Sequence, residues 1–356
     1  MKNKKINLYL TLFLVIQILF IQIVSNTPEF IERYYANGIY PIISSFFRII
    51  FGWIPFSVGD ILIFYFFYIA LRFIYFLFRT KFKNLRFRCL QITAFCSVVY
   101  FCFYLFWGLN YYRQPLSKSL DLEQSGYTTK QLLSLSRRMI SELNAIHLTI
   151  TKNDSVKIVV PYSQKEMYSI ATNGYDDLSK NYPQFSYSFR SVKSSLMSLL
   201  QSYNGTSGYM NPITGEAQVN RFIPKTGYPT TTCHEMAHQI GFAAENEANF
   251  IGFLAAIHNE DTYFKYAGYR MATRYLIFEI YKRDKKQYKE ILQTIHKGVL
   301  ADFEESATFW ESYKNPFEPI LKKGYHAYLK ANKQDKGIQS YNYVVDLLIC
   351  YFEKKL

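Results

Sequence analysis

Apolar residues crowd the front of the chain in three unbroken runs and recur with helical spacing over much of the rest. Ile6 to Ser25, Gly59 to Phe78 and Cys89 to Gly108 each approach the ~20 residues a helix needs to cross a bilayer core, where the backbone must bond to itself. The first and third runs carry no formal charge. The second has Asp60 at its edge and Arg72 towards its other end, from which a long side chain reaches the headgroups. These patterns predict three membrane spans, at about 6–25, 59–78 and 89–108, with a loop around Asn26 to Pro55. A basic start followed by an apolar stretch also fits a cleaved signal peptide for the first run, although no small-x-small site follows it.

Beyond Trp107 the pattern changes. "WGLNYYRQPL" places Trp107, Tyr111 and Tyr112 where a membrane interface favours them, and a boundary near Pro115 divides a membrane region, 1–114, from a polar domain, 115–356. Within that domain "TTKQLLSLSRRMISELNAI" reads as an amphipathic helix started by Thr128 or Thr129. "SQKEMYSIATNGYDDLSK" reads as another, with Ser163 and Glu166 as a capping box. "SVKIVVP" alternates weakly enough for a short strand, and "GEAQVNRFIP" predicts a half-exposed one. From about residue 262 the spacing is helical almost to the end. The last run, "SYNYVVDLLICYFEKK", is too short for a span and contains Asp346, so a packed helix is expected. The expected architecture is a membrane α-helical N-terminal region plus an α+β, mostly helical domain with a small sheet.

Charge orients the chain. Lys2, Lys4 and Lys5 precede the first span, and Arg79, Lys81, Lys83, Arg86 and Arg88 lie between the second and third, so both clusters belong on the cytoplasmic side of an inner membrane. The N-terminus is then cytoplasmic and everything after Trp107 extracytoplasmic. The net charge of +14 raises the question of nucleic acid, but more than half of it arises in the first 111 residues and no DNA- or RNA-binding motif accompanies it. The lipid bilayer is the expected partner of that charge. Of five cysteines, Cys89, Cys96 and Cys102 lie in the third span, so Cys233 and Cys350 form no disulfide framework.

The chemistry is concentrated in "TTCHEMAHQIGFAAENEANFIGF", residues 231–253. His234 and His238 stand one helical turn apart, so both imidazoles share a face and can grip one cation, with Glu235 beside them as the general base for an activated water. Cys233 points ~100° away from His234 and is no ligand. Thr231 and Thr232 read as helix caps, and Met236, Ala237, Ile240 and Phe242 as the apolar back face. A third ligand is needed. Glu245 would lie ~10 Å along the axis from His238 in an unbroken helix, so the helix must break, and Gly241 is where it can. A second helix starting in "FAAENEANF" would then bring Glu245 or Glu247 back, with acidic residues in its first turn.

Glu245 and Asn249 resemble the Glu-x-x-x-Asp pattern of glutamate zincins, in which the Glu binds zinc and the residue four later orients a ligating histidine from behind. Asn249 stands where Asp is usual. Glu245 is favoured over Glu247 on this pattern, and Ala244 stands where metzincins have their third histidine. With "WGLNYYRQPL", "GEAQVN", "HEMAHQIGFAAENEANFIGFLA" and "SYNYVVDLLICY", most of the chain resembles the bacterial membrane proteins of the domain-of-unknown-function 3810 family. That resemblance implies a zincin-like hydrolase domain and no substrate. "ENEANFIGFLA" is also similar to the ligand helix of M78-type zincins, which supports Glu245. The resemblance to zincins implies that "GEAQVNRF" is an edge strand for an extended peptide, with Glu216 and Asn220 nearby. It also implies an oxyanion-stabilising side chain, for which Tyr263, Tyr266, Tyr269, Arg270 and His258 stand close in sequence.

The expected function is a membrane-anchored zinc metallopeptidase cleaving peptide outside the cytoplasm. A catalytically silent, zinc-stabilised membrane scaffold is the alternative. The polar surroundings of the motif argue against cleavage within the membrane, and three spans with little buried charge make a poor transport path.

Overall fold

The computed structural model describes residues 2–122, 126–332 and 343–354. The chain opens with α1 (Lys2–Val24), a short α2 (Pro28–Phe30), a π-helical stretch (Ile31–Ile39) and α3 (Tyr40–Gly52). Next come α4 (Val58–Arg79), whose first turn is capped by Ser57, and α5 (Leu85–Phe106). Helices α1, α4 and α5 are long and apolar enough to cross a membrane. The expected span 59–78 falls within α4, and the spans 6–25 and 89–108 overrun the ends of α1 and α5 by one and two residues. The segment read as a loop between the first two is largely helical instead, because α3 carries its polarity reversed: Ser44 and Arg48 are buried while Ile42, Phe46 and Ile49 are exposed.

The remaining chain is mostly helical around a small mixed sheet. It contains α6 (Leu116–Ser119), α7 (Thr129–Thr151), α8 (Gln164–Asn181), β1 (Val192–Ser194), α9 (Ser198–Asn204), β2 (Gly208–Met210) and β3 (Ala217–Val219). It continues with α10 (Tyr228–Gln239), α11 (Glu245–Ile257), α12 (Thr262–Arg283), α13 (Lys285–Leu292), α14 (Lys297–Ser312), α15 (Glu318–Ala331) and α16 (Val344–Lys354). Both expected N-terminal signals are present: Thr128 with Gln131 and Ser163 with Glu166 form reciprocal capping boxes. Helices α10 and α11 pack on each other at the centre, with α8, α12 and the sheet against α10 and with α16 against α11. Val344, Leu347 and Leu348 of α16 are buried, so the last apolar run is the packed helix its length implied.

Three local expectations fail. "SVKIVVP" forms no strand, because Ile158 N donates to Asp302 Oδ1 at 3.2 Å and Val156 O bonds His147 Nε2 at 2.8 Å, so side chains take the backbone partners that a ladder would need. "GEAQVN" is neither half-exposed nor an edge. The strand order is β1-β3-β2, with β3 central, parallel to β1 and antiparallel to β2, and Ala217, Gln218 and Val219 are all buried. Thr231 and Thr232 lie inside α10, which begins at Tyr228, and their hydroxyls donate back to Gly227 O and Tyr228 O at 3.1 and 2.9 Å.

Candidate metal centre

Helix α10 ends where the sequence requires a break. Gly241 adopts a φ of +94°, a conformation glycine takes without steric penalty, and α11 starts at Glu245. The return of α11 is close because Gly252 faces α10: a Cβ there would lie 3.0 Å from the backbone nitrogen of His234. This crossing brings the first turn of α11 over the histidine face of α10.

The result is a tight cluster. His234 Nε2 and His238 Nε2 are 3.1 Å apart, and Glu245 Oε2 lies 3.3 Å from the first and 3.7 Å from the second. Glu235 joins them, with ligand atoms of His234, Glu235 and His238 all within 4.8 Å of one another. His238 Nδ1 lies 2.7 Å from Phe242 O. A carbonyl only accepts, so that ring nitrogen carries a proton whether the ring is neutral or charged, and Nε2 is the atom left to face either a second proton or a cation. Tyr325 OH donates to the other carboxylate oxygen, Glu245 Oε1, at 2.7 Å.

The electrostatics ask for positive charge at the point where these atoms meet. Burial alone would raise the Glu245 carboxyl, but the two histidines outweigh it and hold the group well below the ordinary carboxylate range. Burial likewise opposes charge on His238, yet Glu245 and Glu235 prevail and raise it to about 9. Two imidazole nitrogens and a carboxylate oxygen facing one point fit a divalent cation as they fit a proton. Glu235 differs. Burial pushes its carboxyl up to about 7 against the pull of the histidines, and its Oε2 is buried with no hydrogen-bond partner among the described residues. Such an oxygen is ready to take a proton.

Glu247, the other candidate ligand, points elsewhere: its Oε1 accepts from Leu116 N at 2.7 Å, and burial raises its carboxyl to about 7. Asn249 is buried beside the cleft, but its Nδ2 and His234 Nδ1 both lack a partner among the described residues, so no orienting bond joins them. Glu216 and Asn220, read as flanking a peptide, are fully buried. Glu216 accepts from Gly59 N at 2.5 Å and pairs with Lys193, while Asn220 Nδ2 donates to Ser202 Oγ at 2.9 Å.

The cluster opens into a cleft of about 1080 Å³ whose lining includes Gly208, Tyr209 and Met210 of β2, Arg270 of α12 and Tyr325 of α15. The strand beside Glu235 is therefore β2, which the hydropathy pattern did not single out; a Cβ at Gly208 would lie 2.5 Å from Glu235 Oε1. Of the five residues considered for an oxyanion, Arg270 alone lines the cleft. Tyr266 is buried against Asp302 and His258 lies 3.0 Å from Asp177 Oδ2. Tyr263 stacks edge-on with Tyr162 and Tyr269 packs on Phe253. Tyr325, 80 residues beyond Glu245, carried no local signal.

The last turn of α10 is held by residues of the N-terminal third of the chain. Tyr40 OH donates to His238 O and Gln239 O at 3.3 and 3.0 Å, Ser44 Oγ donates to Gln239 O at 2.6 Å, and Trp107 Nε1 donates to His238 O at 3.3 Å. Arg113 Nη1 donates to Gly241 O at 3.0 Å just beyond.

No curated protein and no solved structure matches the chain. A family profile described as a protein of unknown function (DUF3810) does, over residues 35–349, which takes in α3 to α5, the whole HExxH region and most of α16. With the match running through the bulk of its length, the chain belongs to the domain-of-unknown-function 3810 family.

Proposed function

We propose that this protein is a membrane-anchored, zinc-dependent metallopeptidase acting outside the cytoplasm. The observation that carries the reading is the meeting of His234 Nε2, His238 Nε2 and Glu245 Oε2 within 3.7 Å, with Glu235 Oε2, which has no partner among the described residues, at the same cleft. Two imidazoles and one carboxylate leave a coordination position open, the donor set of hydrolytic rather than structural zinc. A zinc ion held there would polarise a substrate carbonyl and lower the pKa of water to about 7. The remaining chemistry belongs to the chain. Glu235 Oε2 accepts the proton of the attacking water and returns it to the departing amine nitrogen, a role its burial and raised pKa suit. The free side of β2 offers backbone donors and acceptors to an extended peptide lying across the cleft.

The membrane placement rests on α1, α4 and α5, and on the basic residues at the ends of those helices remote from the domain. The test measures metal content by X-ray fluorescence and cleavage of a peptide library for the parent protein and Glu235→Gln. Retained metal with cleavage lowered by about a thousandfold or more in the variant supports the peptidase. Parent protein that holds metal and cleaves nothing points to a scaffold, and metal-free parent protein refutes both.

A further inference from the structure

The mouth of the cleft is rimmed by helices built inside out. On α9 the residues facing the protein are Ser198, Gln201 and Ser202, while Leu199, Leu200 and Tyr203 are 51, 59 and 46% exposed. Helix α3, which is not part of the cleft lining, repeats the inversion with Ser44 and Arg48 inside. On and just before α15, Phe317, Ile320 and Leu321 are 69, 67 and 43% exposed, among Lys322, Lys323 and Lys330. A helix that faces water carries the opposite pattern, and a basic helix with an outward apolar face suits an anionic lipid surface.

Hydrogen bonds fix this rim to the ends of the membrane-length helices. Asp60, in the first turn of α4, accepts from Leu196 N at 2.7 Å and Ser195 Oγ at 3.0 Å, immediately before α9. Tyr104, near the end of α5, donates to Asn332 Oδ1 at 3.4 Å, the residue that closes α15. Lys193 Nζ of β1 donates to Phe51 O of α3 at 2.7 Å. Ile63, about a turn deeper in α4 than Asp60, lines the same cleft as Leu200 and Leu321. The lining of the cleft thus runs from the metal cluster to a membrane-length helix without interruption.

We infer that α3, α9 and α15 lie in the bilayer leaflet on the domain's side, so that the cleft opens onto the membrane surface. The occupant of the apolar rim is lipid, because the rim continues the lipid-facing surface of α4 at the same level and is flanked by lysines that meet anionic headgroups. One consequence rests on the peptidase reading: chains presented at the bilayer surface reach Glu235 ahead of the same peptides in solution.

The contact is tested with full-length protein in nanodiscs of phosphatidylethanolamine and phosphatidylglycerol. A photoreactive benzoylphenylalanine replaces Leu200, Ile320 or Phe46. Ile69 in the middle of α4 serves as lipid control, and Val159, 74% exposed on the domain, serves as water control. Irradiation followed by intact-mass measurement is expected to give phospholipid adducts at 200, 320 and 46 at least about tenfold above position 159. Adducts at 69 with none above the level of 159 at positions 200 and 320 would overturn the inference. Crosslinking needs no turnover, so a failed peptidase reading leaves this result standing, and the reverse also holds.

Discussion

Replacing Glu245 by alanine removes one of three side chains that share the point between His234 Nε2 and His238 Nε2. Zinc bound by a few protein ligands has an apparent binding free energy of about 10–16 kcal/mol, so an equal share for each of three ligands is roughly 3–5 kcal/mol. At 1.4 kcal/mol per tenfold, Glu245→Ala should weaken zinc binding by about 10² to 10⁴. Glu247→Gln keeps an oxygen to accept from Leu116 N and should leave zinc affinity within about threefold of the parent. Competition against a chromophoric chelator, with each protein purified in the same detergent, measures both constants. Parent-like affinity in Glu245→Ala together with a large loss in Glu247→Gln would refute the assignment of the third ligand. It would also mean that α11 rotates relative to α10 when metal enters.

Tyr325→Phe deletes the hydroxyl that donates to Glu245 Oε1 at 2.7 Å; since such supporting bonds orient a ligand, zinc affinity should fall by about 10-fold or more, and an unchanged constant would remove Tyr325 from the site. Gly208→Ala sets a methyl 2.5 Å from Glu235 Oε1, so that side chain must move: activity should fall far more than zinc affinity, and thermal unfolding should report a loss of about 1–3 kcal/mol. His147 is buried, and burial holds its pKa below the ordinary histidine value, so the unfolded chain takes up the proton first as pH falls. Its contribution is therefore complete above about pH 6.5 and lost below it, while the raised carboxyls of Glu235 and Glu247 drift the other way; in metal-free protein the melting-temperature gap between parent and His147→Gln should narrow from about pH 7 to about pH 5. Equal slopes for the two proteins would show that another group titrates.

The parts of this structure legible in the chain are those governed by local rules. Apolar length marks α1, α4 and α5, side-chain caps mark the starts of α7 and α8, and one turn of helix separates His234 from His238. Even the return of Glu245 follows locally, from the reach of an unbroken helix and a glycine that releases it. What was not legible depends on partners far away in sequence. Glu216 reads in the sequence as a neighbour of a bound peptide on a half-exposed strand because nothing nearby announces Lys193 or the amides of Val58 and Gly59. The strands β1 and β2 are too short to establish alternation. Helix α3 is hidden for another reason: its apolar residues face outward, so the expected sense of amphipathicity is reversed. Tyr325 reaches Glu245 across a large separation that no spacing rule spans.

The anchoring of α10 by Tyr40, Ser44 and Trp107 has a practical consequence for anyone who would work with a water-soluble fragment. A piece beginning after residue 114 would carry both histidines, but the carbonyls of His238 and Gln239 would have lost the aromatic and hydroxyl groups that now satisfy them. Trimming away the segment that holds the three membrane-length helices therefore does not yield a smaller version of the same site. It yields a histidine pair whose helix has been loosened from beneath.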